Sequence, residues 1–599
     1  MLETISKERN LKQNKIEEMK SISSMEDAYT RLIEYSIDGY SSISKEDKSY
    51  FLKCFGIFDK GDNDFMLRVR IPAGRLRAKQ AMVVGEVARE YGQDYIDLTT
   101  RMQLELRYLR IEDLPTVMMK LEDIGITTYQ TGIDNFRGIV TDMLDGVAQD
   151  GEIECYPYVE AFQEVFLKKE EWIGKLPRKF NTAILGCREN RANIFGHDCA
   201  FVLAEKEGIK GFNVFLGGRV GVQAQPANIF VKDKAEAVLF FHSLIKVFKR
   251  YGFRDNRNKN RLHFFIEDVG MKTLIHAIES EANHVFSDAG KTLVAFENSL
   301  QDHRSVPLKD GTFTCKLQVL TGIFTGSAMI DAAKMAEIKG SGELRIGYDQ
   351  NLYILGISKE ERHNVLNSEL FTKYGSDSIF HRGLIACAGT EQCSFGVIPN
   401  KPDALKMADE LAHRFPGVKG RIRMYWSGCV KGCGLHGIGD IGFEGCKAKD
   451  QGQTVFGVHI LIGGRMSSNQ EGEILFKSIP LTKAYAYVEK VVLLYLRLRQ
   501  GEESFEAFYT RFRQTYSLQC IQFFIFFNVF VSERWMHSYE LSWPLMLEQE
   551  NEVYGMIRHL KKELENSQNS SVKEFMSGVS SLGNDPTFEE LTETLMFAS

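Results

Sequence analysis

Four cysteines fall in two short phrases: Cys387 and Cys393 in "CAGTEQCSFG", and Cys429 and Cys433 in "WSGCVKGCGLHGIGDIGFEG". The spacing is C-x5-C and C-x3-C, with 35 residues between the pairs. Three readings compete: a structural zinc, an iron-sulfur cluster, or scattered core thiols. Zinc knuckles usually separate paired cysteines by about two to four residues, so the first pair suits zinc poorly. Glycines at 389, 396, 428, 432, 434, 437 and 439 flank the sulfurs. Such a backbone folds tightly around a bulky cluster and aims N–H groups at its sulfides. Spacing therefore favours a cluster and leaves the other two readings open. His436 reads as packing or a supporting residue. Cys54, Cys155, Cys187, Cys199, Cys315, Cys446 and Cys520 read as buried apolar residues.

The remaining chain must hold these loops. With 599 residues, 44% of them hydrophobic, it can bury several cores, which predicts two to four domains. A net charge of −6 without a long basic block leaves no electrostatic footprint for nucleic acid. The N-terminal "MLETISKERNLKQNKIEEMK" lacks the apolar core of a secretory signal, so a cytoplasmic location is expected. Eleven sparse cysteines fit a reducing compartment. The apolar run "CIQFFIFFNVFV" is shorter than the about 20 residues of a membrane helix and reads as a buried strand or helix, so no membrane partner is expected.

"FMLRVRIPAGRLRAKQ" alternates as a strand does, and "AMVVGEVAREYG" has helical periodicity. "DYIDLTTRMQLELRYLRI" reads as a second strand and "LPTVMMKLEDIGI" as a second helix, a β-α-β-α unit that suggests a ferredoxin-like half-domain. "GFNVFLGGRV" at Gly211 returns as "GVHILIGGRM" at Gly457, and "GHDCAFV" with Asp198 returns as "GIGDIGF" with Asp440. The chain therefore reads as a duplication with the four cysteines in its second half.

The pattern C-x5-C, then W-S-G-C-x3-C-G followed by D-I-G-F, resembles the siroheme-dependent nitrite and sulfite reductases. That resemblance covers roughly residues 50–512 and implies an α/β (α+β) fold: two ferredoxin-like half-domains plus two mixed α/β cofactor-binding domains related by a pseudo-twofold. The implied division is a helical arm over 1–55, half-domains over 56–130 and 296–375, cofactor-binding domains over 131–295 and 376–512, and an extension over 513–599. It also implies that Cys387, Cys393, Cys429 and Cys433 hold a [4Fe-4S] cluster, with Cys433 bridging to siroheme. "LTTRMQLELR" and "TGIDNFRG" look like the family's segments bearing substrate-facing arginines, here Arg101 and Arg137. "LPRKFNTAI" is similar to the stretch that supplies a lysine and a polar partner, Lys179 and Asn181. Strand alternation would place both on one face.

The implied activity is six-electron reduction of nitrite to ammonium by a monomer. Sulfite reduction on the same scaffold is the alternative; a non-catalytic iron-sulfur carrier or structural metal protein is a lower one. Cations would hold the anion, stabilise charge on its oxygens and organise proton delivery. Arg107, Arg219 and Arg465 are candidates to neutralise siroheme carboxylates. No G-x-G-x-x-G opens a helix after a strand, so reduced ferredoxin or a similar carrier is the expected donor. Asn181, where sulfite-preferring members tend to carry a second lysine, favours nitrite. Three positions depart from the family pattern. Val430 and Lys431 replace the usual proline and asparagine, and Met102 replaces a frequent glutamine.

Overall fold

The computed structural model describes residues 2–295 and 303–516, together with 518, 521, 522 and 525. Four five-stranded sheets carry an α+β architecture. The first has the order Ile57–Gly61, Asp64–Val69, Leu104–Leu109, Tyr95–Leu98, Ile323–Thr325. The second repeats it as Ser305–Pro307, Phe313–Leu317, Leu352–Ile357, Glu343–Ile346, Arg75–Arg77. Each half therefore donates its short strand to the edge of the other's sheet. The donated strands follow matching turns, in which Ala73 (φ 52°) and Thr321 (φ 54°) both enter the left-handed region. Helices Ala78–Tyr91 and Gly326–Lys339 then meet backbone to backbone. A Cβ on Gly85 would stand 2.6 Å from the Gly326 carbonyl, and one on Gly326 2.4 Å from that of Gly85. One apolar core, including Leu67, Leu106, Leu317 and Leu344, runs through both halves.

Two features differ from the sequence reading. The exchanged strands are three residues each, too short for a period to show. The segment read as one strand from Asp94 is a hairpin, Tyr95–Leu98 and Leu104–Leu109. Arg101 lies in its turn, where Met102 takes φ 56°.

The third sheet pairs Thr182–Leu185 parallel to Cys199–Lys206, followed by antiparallel Ile209–Leu216 and Gln225–Val231, with Lys291–Thr292 antiparallel to the far end of Cys199–Lys206. The fourth runs Leu384–Ala386, Met424–Ser427 and Ile441–Asp450 in parallel, then antiparallel Gln453–Ile462 and Glu473–Pro480. The sequence repeat is a structural one. The Asn181 amide N–H donates to Asp198 Oδ2 (2.9 Å) and that of Arg423 to Asp440 Oδ2 (2.7 Å), each across 17 residues. Gly217 and Gly463, at φ +81° and +77°, donate to the carbonyls of the same aspartates at 2.8 and 3.0 Å. They occupy equivalent positions, as the duplication predicts.

Helix Phe505–Thr515 runs past residue 512, and Ile521 and Ile525 are buried in the core that holds Phe508 and Phe512. Gln522 Nε2 also donates to the Leu475 carbonyl at 2.7 Å. Packing thus continues beyond the expected edge of the extension. The rest of that extension, with Cys520 and most of its apolar run, lies outside the described residues. A chain ending at residue 515 loses two buried isoleucines, worth about 1.5–3 kcal/mol each. Its thermal midpoint should fall below that of a chain ending at 530. Equal midpoints would show that these contacts contribute nothing.

Candidate active site

Strands Leu384–Ala386 and Met424–Ser427 are parallel neighbours, so the loops leaving their C-terminal ends open side by side, the usual place for a ligand in such sheets. Cys387 follows the first strand, and Gly428–Cys429 follows the second. The loops are tied together: Val397 N–H donates to the Gly428 carbonyl (2.8 Å), and Gly428 N–H to Cys387 Sγ (3.2 Å). Asn400 Nδ2 donates to the carbonyls of Cys387 (2.7 Å) and Trp426 (3.2 Å). Glycine is required at two points: a Cβ on Gly389 or Gly434 would lie 1.7 Å from a backbone oxygen.

The four thiols form one electrostatic group. Burial pushes Cys387 up to about 12; Cys433 adds to the rise, and the Gly428 and Gly389 N–H groups oppose it. Burial also raises Cys429, with Cys433 and Cys393 adding to it. Among the described residues, no three His, Cys, Asp or Glu side chains converge on a position for a single metal ion. Cys387, Cys393 and Cys429 are partly buried, whereas Cys433 is exposed.

Arg101 and Lys179 lie beside Cys433, and Arg137 lies beside those two cations. Burial lowers the Arg101 guanidinium from its ordinary range, with Cys433 opposing and Arg68 and Arg261 adding. Burial drives Lys179 well down, helped by Arg101, Arg261 and Arg137 and opposed by Cys433. Arg137 is lowered strongly by burial, then by Arg68 and Arg101. All three remain partly accessible, as groups in a cleft wall do. None forms a salt bridge among the described residues, whereas nearby Arg257 and Arg261 each do. A cleft that crowds cations and withholds carboxylates is built to receive an anion.

Buried supports fix this arrangement. Arg70 donates to the carbonyls of Tyr129, Gln130, Phe136 and Arg137, setting the loop that carries Arg137. Arg137 Nη1 donates to the Thr131 carbonyl at 2.5 Å. Asp134 is fully buried and takes both nitrogens of Arg257 at 2.8 Å, with Lys20 of the N-terminal arm at 3.1 Å. Asn181 is not presented as Lys179 is. It precedes strand Thr182–Leu185, is 2% exposed, and turns its Nδ2 to Asp198 at 3.0 Å.

The profile described as "Nitrite and sulphite reductase 4Fe-4S domain" matches residues 132–286 and 379–514, and "Nitrite/Sulfite reductase ferredoxin-like half domain" matches 58–124 and 306–368. The ferredoxin–nitrite reductase of Leptolyngbya laminosa is 31% identical over 496 residues, 80% of this chain and 96% of the relative. The chain belongs to the nitrite and sulfite reductase family. The ferredoxin–nitrite reductase of Synechococcus elongatus is also 31% identical, covering 72% of this chain and 86% of the relative. The structure of the Mycobacterium tuberculosis NirA protein shares the fold, with a TM-score of 0.78 and 24% identity over 84% of this chain and 97% of that one.

For a nitrite and sulfite reductase the residues present fit both cofactors. The four thiols stand on the two tied loops, where they are available as cluster ligands. Arg219, whose buried Nε has no hydrogen-bond partner and whose guanidinium lies 5.6 Å from the Phe264 ring, and Arg465, which donates to Thr510 (2.8 Å), are cations available to siroheme carboxylates. Arg107 is not. It is buried against Asp97 (2.7 Å) and Glu105 (2.5 Å), and its Nη1 reaches the Gln392 carbonyl at 3.4 Å beside Cys393. It braces the cysteine loop, because its strand turns that face inward.

Other expectations are refined. His436 spends Nε2 on Glu444 at 3.0 Å, and Cys446 is only half-buried. Met102 is buried in apolar surroundings; the neighbouring Gln103 supplies the polar contacts, donating to the carbonyls of Ile71, Arg101 and Met102. Lys431 is exposed, with its ammonium 2.8 Å from the centroid of the Phe395 ring. Sequence reasoning missed Arg68 and Arg261. Arg68 alternates with Arg70 along its strand, which was a usable signal. Arg261 stands in the basic run "RDNRNKNRL", where nothing marks it out.

His197, next to Asp198, is held neutral. Burial and Arg101 lower it to about 4, and Nδ1–H donates to the carbonyls of Asn193 (3.2 Å) and Ile194 (3.1 Å). The unfolded chain takes this proton near pH 6.5, so stability is complete above that pH. It falls by about 3 kcal/mol as pH drops from 6.5 to 4. Thermal midpoints measured across this window should decline less steeply in His197→Gln; parallel declines would refute the assignment.

Proposed function

We propose that this chain reduces nitrite to ammonium with electrons from reduced ferredoxin, acting as a cytoplasmic monomer divided into the six segments given above. The observation that carries the reading is the grouping of Arg101, Lys179 and Arg137, the first two beside Cys433, with no carboxylate salt bridge to any of the three among the described residues. Cys387, Cys393, Cys429 and Cys433 would hold the [4Fe-4S] cluster, and with siroheme bound beside Cys433 the two groups would supply electrons one at a time. The chain's residues do the rest. Arg101 and Arg137 hold the anion's oxygens with fixed forks, a geometry suited to a planar oxyanion. Lys179, whose ammonium gives up its proton more readily than an ordinary lysine, is placed to donate protons as the oxygens leave as water. Asn181 shapes the wall behind Lys179 without adding charge, which suits singly charged nitrite over the more highly charged sulfite.

The ferredoxin-dependent relatives support the choice of donor. The deciding experiment compares kcat/KM for nitrite and sulfite with the same reduced ferredoxin, since discrimination is the ratio of these constants. Nitrite should be preferred. A clear preference for sulfite would replace this reading with sulfite reduction.

A further inference from the structure

The duplication offers an internal comparison for position 181. Its equivalent in the second half is Arg423, which satisfies its own aspartate. The Arg423 amide takes Asp440 Oδ2 (2.7 Å), Nε and Nη2 take Oδ1 (3.2 and 2.6 Å), and Nη2 also reaches Glu506 (2.5 Å). Two carboxylates therefore neutralise that guanidinium. In the first half, Asn181 offers Asp198 only its amide N–H and Nδ2. The positive charge comes from 63 residues away. Arg261 donates from Nε to Asp198 Oδ1 (3.2 Å) and from Nη2 to Oδ2 (2.7 Å) and the Gly218 carbonyl (3.2 Å). Asp198 is fully buried, so it needs one such partner. Unlike Arg423, Arg261 has a single carboxylate, retains 15% side-chain exposure, and lies close enough to act on both Lys179 and Arg101.

Resting on the nitrite reading above, we propose that Arg261 is a further anion-binding residue: Asp198 positions its guanidinium beside Lys179 and Arg101, and asparagine at 181 keeps Asp198 free to do so. An arginine at 181 would take Asp198 as Arg423 takes Asp440 and release Arg261. Residue 181 then sets the charge of the site through its neighbour as well as through its own side chain.

The test uses the cofactor-loaded wild type, Arg261→Gln, Arg261→Lys and the double variant Asn181→Arg/Arg261→Gln, which copies the second half. Nitrite KM and kcat, the nitrite dissociation constant by equilibrium titration, and the thermal midpoint are measured for each. Arg261→Gln should raise KM and the dissociation constant about tenfold, the worth of one charge-assisted contact, with kcat changing less than about threefold. Its midpoint should also fall, because Asp198 loses its cation. Arg261→Lys should recover part of both. The double variant should recover the midpoint but not the affinity. Unchanged nitrite affinity in Arg261→Gln, or recovery of affinity along with the midpoint in the double variant, would reduce the pair to packing and overturn the proposal. If Arg261→Gln does not fold, the double variant alone decides by the same criterion. A wild type that does not turn over nitrite would instead sink the nitrite reading, and the same titrations with sulfite would then decide the role of Arg261.

Discussion

Cys433→Ser should abolish nitrite reduction, with turnover falling by roughly a thousandfold or more, about 4 kcal/mol on the barrier. The expectation rests on its place in the thiol group. Cys433 acts on the thiols of Cys387 and Cys429 and is also felt by Arg101 and Lys179, so it joins the thiol group to the cation cleft. Serine keeps the size but is a poor ligand for iron at neutral pH, since a hydroxyl does not ionise as a thiol does. Visible absorption of the variant should therefore change for both centres together. Cys446→Ser is the matched control. Its thiol contacts His459 Nδ1 and Ser478 Oγ, both at 3.9 Å, and lies outside the group, so absorption and turnover should stay within about twofold of wild type. Loss of the cluster signal alone in Cys433→Ser, with siroheme ligation intact, would show that the bridge lies elsewhere.

Lys179→Met should lower kcat by about a hundredfold to a thousandfold, the range for removing one charged donor from a preorganised site. The larger part should appear in kcat, because Arg101 and Arg137 still hold the ground-state anion. A pH signature separates proton donation from charge alone. Burial, Arg101 and Arg261 lower the Lys179 ammonium, so the wild type should lose activity on the alkaline side well before an ordinary lysine titrates. That limb should be absent in both Lys179→Met and Lys179→Arg, and the arginine variant should regain affinity without regaining kcat. An alkaline limb that survives in Lys179→Arg would assign the proton to another group.

The sequence carried the cysteine loops well, because their spacing and glycines are local requirements that a chain must write out in order. The repeat was equally legible: Gly217 and Gly463 sit at left-handed turns that each half needs in the same register. Arg101, Arg137 and Lys179 were legible only through family resemblance, since an arginine in a turn and a lysine before a strand have no local mark of function. Arg261 was not legible at all. Its partner Asp198 is 63 residues away, and the pairing exists only because the start of helix Leu262–Val269 is packed against the turn at Gly217 and Gly218. Arg107 misled for a related reason: alternation gave its strand but not which face met Asp97. The strand exchange was hidden because three-residue strands show no period, and their pairing is decided by the helix crossing at Gly85 and Gly326.

On the function proposed above, four thiolates couple a [4Fe-4S] cluster to siroheme beside a cation cleft. Cofactor content tests it most directly. The purified protein should contain about five irons per chain, four from the cluster and one from siroheme, with acid-labile sulfide and the visible bands of an iron tetrapyrrole. Stoichiometric zinc, or iron and sulfide without any tetrapyrrole absorption, would contradict the account and leave a structural metal protein or an electron carrier.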